Sequence, residues 1–384
     1  MEYFLSEQQK EIKALVREIA DEKILPVRAK LDEDEEYPWE IMKLLAYTDM
    51  FRVFIPEEYE GLGGGCLDLC LVTEELSRVC SGVAVSYAAV ALGVMPMLAF
   101  GNEEQKRKYL PDVAAGKRLA AFAVTEELAG SDVGGIKTTA QRVDGGYVLN
   151  GAKRFITNGG EAELYTVIAL TDKTKGARGA TAFIVEKDTP GFSFGRKEKK
   201  MGIRASATRE LVFEDCFVPE ENRLGKEGQG FIATMNLFDN SRPGIGAQAL
   251  GVAQGALEAA VDYARQRVQF GHPIFAIQSV QHMLADMATQ VEAARALIYA
   301  AARAVDSGAK NCSGESAMAK VFASDVAMKV TTDAIQIFGG VGYMRDYPVE
   351  KMFRDAKITQ IYEGTNQVLR NVIASELRKA RTRK

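Results

Sequence analysis

The chain has 384 residues, 47% of them hydrophobic and 26% charged, with a net charge of −4, so it can hold two or three domains and a large apolar core without staples. Its acidic and basic residues are mixed along the chain, and no broad basic field marks it for nucleic acid. Five cysteines without framework spacing and only two histidines, His272 and His282, exclude a disulfide scaffold, most hydrolase triads and histidine-rich metal centres, so no metal is expected.

The first residues run straight into an amphipathic pattern, with no apolar signal region or arginine-rich transit peptide ahead of it. No apolar run is read as reaching the roughly 18–20 residues of a bilayer span. The expectation is a soluble, cytoplasmic protein in a reducing compartment.

Ser6 opens a helix with Ile12, Leu15, Val16 and Ile19 on one face, ending near Pro26. A second helix lies around Trp39 to Tyr47, ahead of the turn-rich stretch from Pro56 to Gly65. There Gly61-Leu62-Gly63-Gly64-Gly65 imitates a dinucleotide-binding loop, but helices precede it and Cys66 stands where the last glycine belongs, so it reads as a flexible loop. Leu67 to Ala99 is almost wholly apolar or small, which suits helices buried on most sides or lining an apolar cavity. Cys66 and Cys70 fit there as two small buried thiols. Asn102 opens a charged helix from Glu103 to Leu110, closed by Pro111.

After about residue 120 the texture alternates. Strands are predicted at Thr139–Val143, Tyr147–Asn150 after a Gly145-Gly146 turn, Val167–Leu170, Ala182–Val185 and Leu211–Phe213, with Val218-Pro219 ending the run. Long helices do not alternate with them, which disfavours a parallel doubly wound sheet. Helical periodicity returns near residue 229: one stripe holds Leu250, Ala253, Leu257 and Val261, a second holds Ala285, Ala288, Val291 and Ile298, and a third helix covers Glu315 to Phe338. Arg378 to Lys384 form a solvated basic end. The expected architecture is α+β and multidomain: an N-terminal α-helical domain (1–120), a middle antiparallel β-barrel or sandwich domain (121–228) and a C-terminal α-helical bundle (229–384).

Four stretches carry chemistry. Val124 to Asp132 lies where helices give way to strands; Thr125 and Ser131 offer hydroxyls and Gly130 permits close approach, though an ordinary turn with an Asx-type bond from Asp132 reads equally well. In Phe155-Ile156-Thr157-Asn158-Gly159-Gly160 an aromatic and a hydroxyl could cover and edge a planar ring, or the strand could end in a type I′ Asn-Gly turn. Arg265 and Arg267 close the long helix that starts near Ala249, where they either answer its dipole or bind a pyrophosphate. Glu363 lies between Tyr362 and Gly364. A carboxylate in apolar company is partly desolvated, which raises its pKa toward the range of a general base; the plainer reading is a solvated Glu before a helix-breaking Gly.

In this order and spacing, from Phe4-Leu5-Ser6-Glu7-Gln8-Gln9 to the last helix, the chain resembles the acyl-CoA dehydrogenase family over nearly its full length. The resemblance implies bound FAD and a homotetramer built as a dimer of dimers. It places the flavin against Phe122, Val124, Thr125, Gly130, Ser131, Phe155 and Thr157, and completes the FAD site with Thr365 and Gln367. A neighbouring subunit supplies Arg267, Phe270, Gln336 and Gly340 to the adenosine and pyrophosphate end. Ser131, Asp239 and Arg242 meet the CoA moiety, Tyr362 and Gly364 border the substrate, and Glu363 is the catalytic base. The implied reaction is α,β-dehydrogenation of an acyl-CoA to the trans-2-enoyl-CoA, as in fatty acid metabolism, with electrons passed to an electron-transfer flavoprotein.

Some members carry the base at the position of Ser241, which cannot serve. Two residues depart from the family pattern: Glu127 replaces a common proline, and Phe155 a common tryptophan. The alternatives are an acyl-CoA oxidase of the same fold, an enoyl-CoA reductase, and a non-catalytic flavin-binding module, the last disfavoured by the intact Glu363 and the net charge of −4. Ser86 to Ala91, mostly small and without arginine, are expected near the acyl pocket, pointing to an uncharged short to medium, branched or cyclic acyl group.

Overall fold

Ser6 caps the first helix reciprocally: its hydroxyl accepts the Gln9 N–H at 3.2 Å while the Gln9 side chain accepts the Ser6 N–H at 3.1 Å, satisfying groups that a helix start leaves open. The computed structural model describes residues 3–309 and 312–382. Of the basic end expected at Arg378 to Lys384, residues 383 and 384 therefore lie outside the described residues. Helix α1 (Glu7–Ile19) buries Ile12, Val16 and Ile19, with Leu15 left exposed, and passes into one π-helical turn at Ala20–Ile24. Helices α2 (Arg28–Glu33) and α3 (Trp39–Tyr47) follow.

Two helices form the centre, α4 (Cys66–Val79) and α5 (Ser81–Phe100). By length and composition α5 could cross a membrane, with a mean hydropathy of 2.0 in its most apolar window, which corrects the reading that no run reaches that length. Its surroundings explain the composition: 67% of that window is buried inside the protein. Helix α6 (Glu103–Ala114) is capped by Asn102, as expected, but runs through Pro111 instead of stopping at it. Proline forfeits one helical hydrogen bond; the fully buried Leu110, Val113 and Ala114 on either side hold the last turn in place.

The strands of the main sheet are β1 (Ala120–Ala123), β2 (Thr139–Val143), β3 (Gly146–Thr157), β4 (Leu164–Leu170), β5 (Ala180–Glu186), β6 (Phe192–Lys197), β7 (Thr208–Pro219) and β8 (Arg223–Leu224). They form one sheet in the order β6-β7-β3-β2-β4-β5-β8, with β1 beside β4. Most pairings are antiparallel, but β1 runs parallel to β4 and β2 meets β4 in a parallel bridge. Asn158-Gly159 is not a hairpin turn, because β3 pairs with β2 and β7 rather than with the next strand. Instead the buried Asn158 side chain donates to the Ser86 carbonyl at 2.9 Å, tying the strand end to α5.

Helix α7 (Gly230–Gln266) starts well before Ala249 and spans 37 residues. It is followed by α8 (Gln278–Asp306), α9 (Ser313–Phe338), α10 (Val349–Ile358) and α11 (Asn366–Thr382). On α8 the buried stripe is Leu284, Met287, Val291, Ala294 and Ile298, so Ala285 faces solvent, contrary to expectation. Helices α4 and α7 pack backbone to backbone: a Cβ on Gly255 would stand 2.1 Å from the Arg78 carbonyl oxygen, a contact only glycine allows. One apolar cluster joins α1, α3, α5 and the sheet, and a second joins the start of α4 to α7, α8, α9 and α10.

Candidate active site

Between α10 and α11 the chain reverses through residues 359–365. The Tyr362 N–H donates to the Ile358 carbonyl at 3.1 Å and the Asn366 N–H to the Gln360 carbonyl at 3.0 Å. This tight turn drives Glu363 and Gly364 to φ values of +50° and +99°. A Cβ on Gly364 would lie 2.9 Å from Leu369 Cδ2. Gly364→Ala should therefore lower stability by about 1–3 kcal/mol, read from the denaturant midpoint, since a strained left-handed alanine costs that much.

Three side chains from α7 and α9 hold the turn. Ser241 Oγ donates to Glu363 Oε2 at 2.6 Å, Arg242 Nε to the Glu363 carbonyl at 3.4 Å, and Lys320 Nζ to the Gly364 carbonyl at 2.8 Å. Enclosure raises the Glu363 pKa above the ordinary carboxylate value; the Ser241 hydrogen bond and the nearby Arg242 and Lys320 pull it partway back. Burial pushes Lys320 down to about 8. Burial also lowers Arg242, which is paired with Asp239 at 2.7 Å. The Tyr362 hydroxyl is bonded to the Gln248 side chain, whose amide donates to Ser81 Oγ at 2.8 Å.

Glu363 and Ser241 open onto a cavity of about 140 Å³. Around it stand Phe122, Val124 and Thr125 from the end of β1, Phe155, Ile156 and Thr157 from the end of β3, and Tyr362, so residues far apart in sequence share one wall. A register shift in β3 between Lys153 and Ile156 marks a bulge, at which Phe155 takes φ +58° and is left 56% exposed. Beneath the bulge, fully buried Lys153 donates to Glu126 Oε1 at 2.6 Å and to the Val124 carbonyl at 3.1 Å. Glu126 also accepts the Lys137 and Thr138 N–H groups at 2.5 and 3.0 Å. A half-exposed aromatic, two threonine hydroxyls and apolar walls in one cavity with a carboxylate are a set suited to a flat, polar-edged ring system.

Other expected residues lie elsewhere. Gly130 and Ser131 are exposed and outside the cavity lining, while Arg242 reaches the Glu363 carbonyl and Asp239 pairs with Arg242. The Thr365 hydroxyl accepts the Val368 N–H at 3.2 Å, capping α11, and Gln367 is exposed. Arg267, Phe270, Gln336 and Gly340 are all exposed, and none lines this cavity. Of Ser86 to Ala91, only Ala88 and Ala89 reach it, with Val85 and Leu92 beyond. The hydroxyls of Ser86 and Tyr87 turn instead to the Gly82 and Met50 carbonyls, because helical spacing presents only some positions to one face.

In the glycine-rich loop before α4 the first helical N–H groups are already paired: the Asp306 carboxylate accepts the Cys66 and Leu67 N–H groups at 2.5 and 3.0 Å. Both thiols, Cys66 and Cys70, are buried, and among the described residues no cluster could hold a metal. Sequence reasoning missed Lys320, Gln248 and the Lys153–Glu126 pair. The signal for Lys320 was a lysine inside the otherwise small and apolar run Ala317 to Ala323.

Three family models match in succession: the acyl-CoA dehydrogenase N-terminal domain over residues 6–117, the middle domain over 121–216 and the C-terminal domain over 228–378. An acyl-CoA dehydrogenase of Bacillus subtilis (strain 168) is 49% identical, covering 97% of this chain and 98% of its own. An acryloyl-CoA reductase (NADH) of Anaerotignum propionicum is 46% identical, covering 99% and 96%. The solved butyryl-CoA dehydrogenase from Megasphaera elsdenii superposes with a TM-score of 0.96 at 46% identity, covering 98% of this chain and 100% of that one. Other solved chains of this fold are complexed with FAD.

Proposed function

The chain belongs to the acyl-CoA dehydrogenase family of oxidoreductases, and from that premise we propose that it dehydrogenates a short, uncharged acyl-CoA at the α,β bond with Glu363 as the base. The observation that carries this reading is the cavity that Glu363 shares with Thr125, Phe155 and Thr157. These side chains suit FAD, with Phe122 and Val124 in the same wall and the exposed Gly130 and Ser131 meeting it from outside the cavity. When bound, FAD supplies the two-electron acceptor for the β-hydrogen.

The protein's own part is positioning and proton transfer. The Glu363 carboxylate takes the α-proton, and the electron pair of that C–H bond becomes the new C=C bond as the β-hydrogen leaves with its own pair. The Glu363 N–H donates to the thioester oxygen, where negative charge grows as the proton departs. Asp239 and Arg242 meet the CoA moiety, with Tyr362 and Gly364 bordering the substrate. The exposed Arg267, Phe270, Gln336 and Gly340 serve a neighbouring subunit's FAD in a homotetramer, where Thr365 and Gln367 complete the site. Electrons leave to an electron-transfer flavoprotein. The similarity to an acryloyl-CoA reductase at 46% identity favours a second reading, in which the same residues run the reaction toward the saturated acyl-CoA.

Substrate size follows from the walls. Val85, Ala88, Ala89 and Leu92 are apolar, and the lining includes no lysine or arginine to hold a second carboxylate. Leu69 and Met95 close the cavity and also line a second, larger one of about 330 Å³ between α4, α5 and α7. Butyryl-CoA should bleach the yellow protein, whereas robust turnover of glutaryl-CoA would sink the uncharged assignment. Met95→Ala should join the two cavities. Octanoyl-CoA, several methylenes longer, should then gain at least about tenfold in kcat/KM relative to butyryl-CoA, since each buried CH₂ is worth about 0.8 kcal/mol.

A further inference from the structure

Three lysines are buried among the described residues, Lys153, Lys320 and Lys351. Two sit directly on carboxylates, Lys153 on Glu126 and Lys351 on Asp355, both at 2.6 Å. Lys320 differs. Its hydrogen bonds go to neutral oxygens, the Gly364 carbonyl at 2.8 Å and Asn366 Oδ1 at 3.0 Å. Burying an ammonium is costly, and a neutral donor could tie two carbonyl groups as well. The charge therefore needs another reason.

That reason stands one residue away. We propose that Lys320 is the positioning residue of the catalytic turn: its ammonium anchors Gly364 and Asn366 and supplies the buried positive charge that keeps the Glu363 carboxyl ionised. This rests on the reading of Glu363 as the base. The turn needs such an anchor, because Glu363 and Gly364 both stand at positive φ. Asn366 extends the anchor, its amide donating to Ser324 Oγ at 2.9 Å and to Asp325 Oδ1 at 2.8 Å. The charged groups facing Lys320 are Glu363 from the turn, Arg242 from α7 and Asp325 from its own helix. Arg242 is already matched by Asp239 at 2.7 Å and Asp325 by Arg370 at 2.8 Å, which leaves the Glu363 carboxylate as the charge that Lys320 answers. Its pKa near 8 fits a proton held chiefly by that partnership against burial.

The sign follows from electrostatics. Removing a neighbouring positive charge raises a carboxyl pKa, so the fraction of Glu363 that is ionised falls at acidic pH. The test is the pH dependence of the flavin bleaching rate with saturating butyryl-CoA, measured without oxygen on the FAD-loaded wild type, Lys320→Gln, Lys320→Arg and Glu363→Gln. Lys320→Gln keeps a donor for the Gly364 carbonyl but removes the charge. Its acidic limb should move to higher pH, with a loss of about tenfold at pH 6 and a smaller change at pH 9. Lys320→Arg should hold the limb nearer its original place. If Lys320→Gln binds FAD and its acidic limb coincides with that of the wild type, the proposal is wrong while the base assignment stands. If instead Glu363→Gln keeps the wild-type limb and rate, the base assignment itself has failed. Should Lys320→Gln lose FAD, Lys320→Met and Lys320→Arg decide: equal limbs in both overturn the proposal.

Discussion

Glu363→Gln is expected to fold, to keep its yellow colour, and to bleach with acyl-CoA about 10²–10⁴-fold more slowly, the range that positioned acid–base groups contribute. Glutamine keeps the volume and the main-chain conformation but cannot take the α-proton. The Ser241 hydroxyl, 2.6 Å from Glu363 Oε2, can still donate to the amide oxygen, so the side chain should stay where it is. Binding is then separable from chemistry: the Kd for butyryl-CoA should change little while the rate collapses. In the wild type the raised Glu363 pKa places an acidic limb on the bleaching rate, which falls as pH drops through that pKa and the base becomes protonated. The variant should lose this limb. Bleaching at the native rate would remove Glu363 from the mechanism.

Lys153→Met should be the most damaging change away from the base. It removes the ammonium that sits on the buried Glu126 carboxylate, and an uncompensated buried charge costs about 3–5 kcal/mol. Glu126 is held ionised by Lys153 together with the Lys137 and Thr138 N–H groups, so its pKa lies below the usual value despite burial. Lys153 is drawn down to about 8 from 10.5 because its side chain is wholly removed from water. Between those pH values the unfolded chain carries more protons than the folded one, so this group makes the wild type gain stability as pH rises through that window. Lys153→Met should lose this gain along with the bulk stability. Adding Glu126→Gln should restore part of the lost stability, as a coupled pair requires. The Val124 carbonyl also loses its donor, so the cavity wall at Val124 and Thr125 should loosen and retain FAD less well. A denaturant midpoint within about 1 kcal/mol of wild type would show that the pair contributes little.

Much of the fold was legible because its signals are local. The Ser6 cap and the β2 limits match the sequence reading to the residue, and α3 lies where a helix was expected. Errors arose where long-range packing overrode a local cue. Pro111 fails to end α6 because three buried neighbours hold its last turn. The Asn158-Gly159 pair invites a hairpin, yet Asn158 is spent on Ser86 in another layer. Helix α5 passes for a membrane span by length and composition, which the sequence reading missed, while its burial inside the protein matches the buried helices expected there.

For the site, Glu363 stood out because its apolar and aromatic neighbours predict desolvation; its positive φ carried no signal in the sequence. Ser241 was read only as a position unable to supply a base; the structure makes it a donor to the Glu363 carboxylate. Lys320 lies 43 residues before Glu363 in the chain, by 363 − 320, and no local pattern joins them.

The sequence by itself determined the helix–strand–helix order and the apolar central helices, and it singled out Glu363 as a carboxylate among apolar neighbours, because periodicity, capping and side-chain chemistry are properties of neighbours along the chain. Only the tertiary structure decided how that carboxylate is held, which face of α5 walls the cavity, and which buried lysine answers which acid. Those depend on distances and desolvation between segments far apart in sequence, and both quantities come into being only when the chain packs.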